Sequence, residues 1–190
     1  MKFSDCLVLN LGDISRDTPN EVARRIGDTP RERPIILLIN SGGGDVEQGN
    51  AIAGAVSMHG NVIGLVIGKC DSMALSVFVA CSSRLALPHA TFFFHSRTRE
   101  MGNMPILMLE DPAVVERARQ EMLGAHHRYE EAIASAMGQP CGFIRELCRR
   151  ETRLNAVEAR KHGLVERIID PELALLFQDQ PTLTLEDDRR

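Results

Sequence analysis

The stretch from Pro34 to His95 alternates short apolar runs with segments of helical character, and this alternation restricts the chain to few folds. Ile35–Ile39 is a continuous run of leucine and isoleucine, typical of a strand that is buried on both faces of a parallel sheet. Asp45–His59 then predicts a helix that ends at Gly60, and Asn61–Ile67 predicts a second buried strand. Strands and helices in this order indicate right-handed βαβ crossovers and therefore an α/β fold.

Capping signals predict the remaining helices. Thr18–Glu21 has the pattern of a capping box with proline at the first helical position, so a helix should run to about Gly27. Asp111 and Gly138 are favourable ends for one long helix, whose apolar stripe includes Tyr129 and leaves His126 and His127 on the solvated side. The other predicted elements are strands at Cys6–Leu11, Arg84–Leu87, Thr91–Phe94 and Leu164–Ile169, and helices at Ser72–Ala80, Cys141–Arg149 and Asn155–His162.

Composition limits the possible partners and the compartment. The chain has 190 residues, a net charge of -4 and 4% aromatic residues, which argues against nucleic-acid partners and against an anionic membrane surface. We expect one domain over residues 1–170 and a C-terminal tail, 171–190, that is partly disordered. The five cysteines contain no C-x-x-C pair, so we expect reduced thiols and no metal site. No signal peptide or membrane-spanning run is recognisable, which predicts a cytoplasmic protein.

Three segments between Asn40 and His95 carry residues capable of chemistry, although each also has an ordinary structural interpretation. Asn40–Gly44 joins a strand to a helix, and its glycines allow backbone N–H groups to converge on an oxyanion or phosphate, or simply make a turn. Ser72 begins an apolar helix, where it is either a nucleophile or an N-cap. His95 closes the run Thr-Phe-Phe-Phe and is either a catalytic base or a core boundary residue.

Taken together, the order and spacing of these segments resemble the proteolytic subunit of the Clp protease family. The matching pieces are INSGGG, GKCDSMAL, LALPHATFFFH and, further on, LNAVEARKHGLVERII, and the similarity runs from about Cys6 to Asp170. The resemblance implies a ClpP/crotonase-like α/β fold of repeated β-β-α units with a long protruding handle helix, which matches the predicted helix from Asp111. It also implies a serine endopeptidase that needs no cofactor.

The resemblance assigns roles to five residues. Ser72 falls on the nucleophile, His95 on the catalytic histidine, and the N–H groups of Gly43 and Met73 on the oxyanion hole. Alignment through Leu154 places Glu151 where the family has the aspartate of its triad, and a glutamate can also orient a histidine. Without the resemblance, Glu151 would be a solvated charge beside three arginines, Arg149, Arg150 and Arg153.

Other positions depart from the family pattern. Asp71 stands immediately before the nucleophile, where the family has a small residue, and its negative charge should stabilise an imidazolium but oppose an oxyanion. Gly42 replaces the usual proline and loosens the turn. We interpret the neighbouring Cys70 as a small buried hydrophobe rather than the nucleophile.

The resemblance further implies a peptide or unfolded protein as substrate and a homo-oligomeric ring. In the family, a segment before the first strand helps to engage an ATP-driven AAA+ unfoldase. Only Met1–Asp5 precede that strand here, so the resemblance implies docking of an unfoldase less strongly than it implies the peptidase. The glycine-rich strand that follows the family's histidine is replaced by SRTREMGNMPIL. The resemblance therefore implies peptide binding and ring-to-ring pairing less strongly than it implies the catalytic residues.

Two other functions remain open at this point. A noncatalytic or regulatory ring subunit is favoured by Asp71 and by the missing aspartate, and disfavoured by the presence of both Ser72 and His95. A crotonase-type acyl-CoA enzyme would share the fold and the paired oxyanion N–H groups, but would not need the serine and the histidine.

Overall fold

The computed structural model describes residues 5–15, 21–96 and 111–170, and within them strands and helices alternate along most of the chain. This arrangement confirms the predicted α/β fold. The elements are β1 Leu7–Leu11, α1 Glu21–Asp28, β2 Ile35–Ser41, α2 Val46–His59, β3 Val62–Asp71, α3 Met73–Val79, β4 Ser83–Ala86, β5 Thr91–Phe93, α4 Pro112–Met137, α5 Cys141–Arg149, β6 Arg153–Asn155, α6 Ala156–Lys161 and β7 Arg167–Ile168.

One sheet holds the described strands together, in the order β1-β2-β3-β4-β7 with parallel pairing. The first half of β3 pairs with β4 through Ile63–Val66. Its second half, Lys69–Asp71, pairs instead with β5, which lies parallel to it. The short strand β6 then pairs antiparallel with β5. The long strand β3 is therefore shared by two successive neighbours.

The continuous apolar run of β2 is explained by burial on both faces of the sheet. Ile35, Leu37 and Ile39 belong to the main core, which the helices cover. Ile36 and Leu38 point to the opposite face and join a smaller apolar cluster with Leu65, Leu85 and Leu87. Alternate residues of a strand project to opposite faces, so a strand buried on both sides needs no polar positions.

Several predicted boundaries were wrong. β3 continues four residues past Ile67 to Asp71, because its end gains a new partner in β5. The predicted strand Leu164–Ile169 is reduced to the two residues of β7. β6 was not predicted at all, although the predicted capping box between Asn155 and Glu158 is present directly after it. The segment SRTREMGNMPIL, the predicted helix start at Thr18 and the tail 171–190 lie wholly or mainly outside the described residues.

The long helix α4 begins and ends where the sequence predicted. The carboxylate of Asp111 accepts the N–H of Ala113, and Gly138 ends the helix with a φ of 63°. The prediction that His126 lies on the solvated side was wrong. Its Nε2 is 3.2 Å from a carboxylate oxygen of Glu130, which is buried and also paired with Arg145 of α5.

Within residues 5–15, 21–96 and 111–170, no helix combines the length and the apolar character needed to cross a membrane.

Candidate active site

The carboxyl ends of the parallel strands meet at one edge of the sheet, and this edge gathers the residues that the sequence analysis singled out. The glycine turn follows β2, Ser72 follows β3, and His95 lies two residues beyond β5. β2 and β3 are adjacent, with Ser41 opposite Cys70, and β3 and β5 are adjacent, with Asp71 opposite Phe93. The carboxyl edge of an open α/β sheet is where such folds bind ligands.

Ser72 occupies a strained turn between β3 and α3. Its backbone has φ 55° and ψ -122°, a combination that residues with a Cβ atom rarely adopt. The turn is fixed by its N–H, which donates to the carbonyl of Phe93 at 3.0 Å, and by its carbonyl, which accepts from Leu75 N at 3.0 Å. The Ser72 side chain makes no capping hydrogen bond, so the N-cap interpretation does not explain the residue. A sharp strand-to-helix turn of this kind presents a serine hydroxyl outward.

Gly43 packs directly against this turn. Its φ is +88°, and a Cβ atom at this position would lie 2.7 Å from both the Ser72 Cβ and the Asp71 carbonyl oxygen, and 2.9 Å from Met73 N. Only glycine permits so close an approach at this φ. The backbones of Gly43 and Met73 therefore border the same small volume beside Ser72.

A segment from the beginning of the chain holds the glycine turn in place. Ile14 N donates to the carbonyl of Gly43 at 2.7 Å, and Asp45 N donates to the carbonyl of Ile14 at 2.8 Å. The carboxylate of Asp13 accepts the N–H of Gly42. These contacts compensate for the freedom that Gly42 adds to the turn.

The N–H of Gly43 has an internal partner. It donates to the Oγ of Ser41 at 3.1 Å, and Ser41 is fully buried. A substrate oxygen that uses this N–H must therefore share it with Ser41 or replace the Ser41 hydroxyl.

Backbone pairing brings His95 and Glu151 to adjacent positions. Phe93 lies opposite Arg153 in the β5–β6 ladder, and Phe94 N donates to the carbonyl of Thr152 at 2.9 Å, so the next residues along are His95 and Glu151. The half-buried His95 ring stacks on Phe93 with the centroids 5.4 Å apart. Glu151 is exposed and has a φ of 49°. Among the described residues, no hydrogen bond or ion pair joins the side chains of Ser72, His95 and Glu151.

The charge of Asp71 is matched by Arg153. Asp71 is 7% exposed, and its two carboxylate oxygens accept from Nη1 and Nη2 of Arg153 at 3.0 and 3.2 Å. Arg149 and Arg150 pair instead with Glu146 on α5. The negative charge beside Ser72 is therefore compensated, which the sequence analysis did not anticipate.

Cys70 is fully buried, as predicted. Burial, and next the negative charge of Asp71, raise the pKa of its thiol well above the usual value. A thiol that stays protonated is a poor nucleophile, so the interpretation of Cys70 as a small buried hydrophobe is confirmed. The described residues contain no group of three histidine, cysteine, aspartate or glutamate side chains placed to hold a metal ion.

Sequence reasoning missed three residues that shape this edge, namely Ile14, Ser41 and Arg153. Only Arg153 had a usable signal, because a carboxylate in a buried strand requires a cationic partner. That partner lies 82 residues further along the chain, and spacing alone could not identify it.

Comparison with known proteins supports the fold described above. The structure resembles a ClpP1 point mutant from Listeria monocytogenes with a TM-score of 0.73 and 23% sequence identity, covering 88% of this chain and 92% of that one. The family model described as "Clp protease" matches residues 14–172, which include both the glycine turn and the β5–β6 ladder. The chain therefore belongs to the Clp protease family.

Proposed function

We propose that the chain is a serine endopeptidase that uses Ser72 as nucleophile, His95 as general base and acid, and Glu151 to orient His95. The observation that carries this proposal is the strained Ser72 turn pressed against Gly43. Strain of this kind costs about 1–3 kcal/mol, and a structural N-cap would gain nothing from it. A nucleophile gains a position beside the backbone N–H groups of Gly43 and Met73.

The proposed reaction is acyl transfer to the serine, followed by hydrolysis. Ser72 Oγ attacks the peptide carbonyl carbon while His95 accepts the hydroxyl proton. The C–N bond then breaks, and His95 returns that proton to the leaving amine. A water molecule, deprotonated by His95, hydrolyses the ester and restores Ser72. No cofactor is needed for these steps.

Backbone N–H groups of Gly43 and Met73 form the proposed oxyanion hole. Both border the volume beside Ser72, and Met73 opens α3, where the helix dipole favours negative charge. Each donor of this kind contributes about 3 kcal/mol to the rate. Gly43 provides its N–H only when the developing oxyanion replaces or shares the Ser41 hydroxyl.

The substrate class we propose is an unfolded chain or peptide, cleaved within a homo-oligomer. The homo-oligomer part of the proposal is supported by the family match over residues 14–172, because Clp protease family members form oligomeric rings. Light scattering after gel filtration tests this part by giving the mass of the assembly.

Intact-mass labelling with a fluorophosphonate or a β-lactone tests the catalytic proposal, with Ser72→Ala, His95→Ala and Cys70→Ala in parallel. We expect one adduct, lost in the Ser72 and His95 variants and kept in the Cys70 variant. An adduct lost only in Cys70→Ala would show that Cys70, and not Ser72, is the nucleophile. Thioester turnover that Ser72→Ala leaves unchanged would support an acyl-CoA enzyme instead.

One observation favours a second candidate, a noncatalytic subunit of a Clp-like ring. In the described residues Ser72, His95 and Glu151 are not joined by hydrogen bonds, and the Gly43 N–H is already engaged. Under this candidate the assembled protein gives no adduct although Ser72 is intact.

A further inference from the structure

One arginine side chain crosses the ends of three strands at this edge. Arg153 lies in β6, opposite Phe93 of β5, and Phe93 in turn lies opposite Asp71 of β3. The Nη1 atom of Arg153 donates to Asp71 at 3.0 Å and to Thr91 Oγ1 at 3.2 Å, and Nη2 donates to the other oxygen of Asp71. Arginine can form this planar, bidentate pair of hydrogen bonds with a carboxylate, and lysine cannot.

The same guanidinium lies over the ring of Phe93. Its central carbon is 4.6 Å from the ring centroid, a distance at which a cation is attracted to an aromatic face. The Phe93 ring also contacts His95, because the two rings stack at an angle of 15°. Thr91, Phe93 and His95 alternate with inward residues and so share one face of the strand.

Every candidate catalytic residue lies close in sequence to a contact of this side chain. Ser72 directly follows Asp71, His95 is two residues from Phe93, and Glu151 is two residues from Arg153 itself. The Arg153 contacts therefore tie together the three backbone segments that must align for acyl transfer.

We propose that Arg153 is a positioning residue that sets the His95 ring relative to Ser72, through Phe93 on one side and Asp71 on the other. This proposal rests on the proposed peptidase function for its kinetic part only. Asp71 and Arg153 then act as a matched pair: the arginine compensates the carboxylate beside the nucleophile, and the carboxylate anchors the arginine over Phe93.

The test uses Arg153→Gln and Arg153→Lys in the full-length protein, with Arg24→Gln as the matched control. Arg24 makes an exposed ion pair with Asp28 in α1, distant in sequence from the site. We expect Arg153→Gln to slow fluorophosphonate labelling of Ser72 by about 100-fold, as a small displacement of reacting groups does. We expect Arg24→Gln to change it by less than about twofold. Arg153→Lys keeps the charge but not the bidentate hydrogen bonds, so we expect it to label more slowly than the wild type as well.

A spectroscopic readout separates this proposal from the peptidase proposal. The ring Cε1–H signal of His95, identified by its loss in His95→Gln, carries the ring-current shift of Phe93. We expect that signal to move in Arg153→Gln and in Phe93→Leu, but not in Arg24→Gln. If the wild type fails to label but the signal moves, the peptidase proposal fails and the positioning of His95 stands.

Two results would overturn the proposal: an unchanged His95 signal in Arg153→Gln, or labelling by Arg153→Lys at the wild-type rate. If Arg153→Gln does not reach the wild-type hydrodynamic size, Asp71→Asn replaces it. That variant keeps the shape of the side chain and weakens the grip on the guanidinium, so it must displace the same His95 signal.

Discussion

The Gly43 backbone lies so close to Ser72 that a Cβ atom added to Gly43 would come within 2.7 Å of the Ser72 Cβ. Atoms that are not bonded do not approach so closely, so any side chain at Gly43 must push the serine turn away. The end of β2 and the end of β3 therefore behave as one unit, and the glycine is part of the serine's geometry.

Gly43→Ala should abolish or strongly slow labelling of Ser72. The added methyl group meets backbone atoms on both sides and also requires an unfavourable φ, so we expect a loss of about 100-fold or more. Gly27→Ala is the control, because a Cβ atom at Gly27 in α1 meets nothing within 4 Å. Labelling rates close to wild type in both variants would contradict the packing described for the turn.

Ser72→Gly should be more stable than Ser72→Ala. Both variants lack the hydroxyl, but only glycine relieves the strain at φ 55°, so we expect a difference of about 1 kcal/mol in the free energy of unfolding. Ala53→Gly in the middle of α2 should change stability in the opposite direction by a similar amount. Urea denaturation of the three variants measures both effects. A Ser72→Gly protein that is less stable than Ser72→Ala would mean that the turn is not strained.

Glu151→Gln should lower the rate of Ser72 labelling by at least about tenfold, because a neutral amide stabilises the imidazolium of His95 less well than a carboxylate does. Glu146→Gln is the matched control, since Glu146 lies five residues earlier and its partners among the described residues are Arg149 and Arg150. Equal rates for the two variants would remove Glu151 from the proposed triad. Glu151→Asp should retain activity, because aspartate tolerates a positive φ better than most residues.

Thiol reactivity should separate Cys141 from the other cysteines. Cys141 is half-buried, whereas Cys6, Cys70, Cys81 and Cys148 are buried. Burial raises the pKa of Cys81 to about 12 and that of Cys70 well above its usual value, so neither forms thiolate at pH 8. Ellman's reagent should therefore modify one thiol rapidly in the native protein. Cys141→Ser should remove that fast phase, and a fast phase that persists would contradict the burial of the others.

The raised pKa values of these thiols predict that the free energy of unfolding falls in alkaline solution. A raised pKa in the folded state means that the unfolded chain releases its proton first, so the stabilisation is complete below pH 9 and declines as the pH rises towards 12. Cys81→Ala should make the free energy of unfolding fall less steeply with pH above 9 than it does in the wild type. Thermal melts across this range measure the two slopes, and parallel slopes would contradict the prediction.

Local signals predicted the elements whose ends depend on neighbouring residues. Asp45 and Gly60 bound α2 as the sequence indicated, with Gly60 at a φ of 74°. Capping is decided within one turn of helix, so it can be recognised without the fold. The buried run of β2 was also evident, because burial on both faces leaves no polar position.

Features that depend on distant partners were missed. The end of β3, Gly68–Asp71, has the composition of a turn, and only pairing with β5 makes it a strand. His126 was expected on the solvated side of the long helix, but it contacts the buried Glu130, which pairs with Arg145 of the next helix. The strain at Ser72 has no local signature, since the segment lacks the G-x-S-x-G pattern. In each case the deciding contact lies in another element.

The edge that carries Ser72 is built from distant parts of the sequence, and this limits the order in which its contacts can form. The edge that carries Ser72 uses Asp13 and Ile14 from the start of the chain and Arg153 from near its end. Synthesis must therefore reach Arg153 before its contacts with Asp71 and Thr91 can form, whereas β2, β3 and β5 come earlier in the chain and can pair before then. The last contacts at this edge therefore depend on β6, the short strand that the chain supplies after the long helix α4.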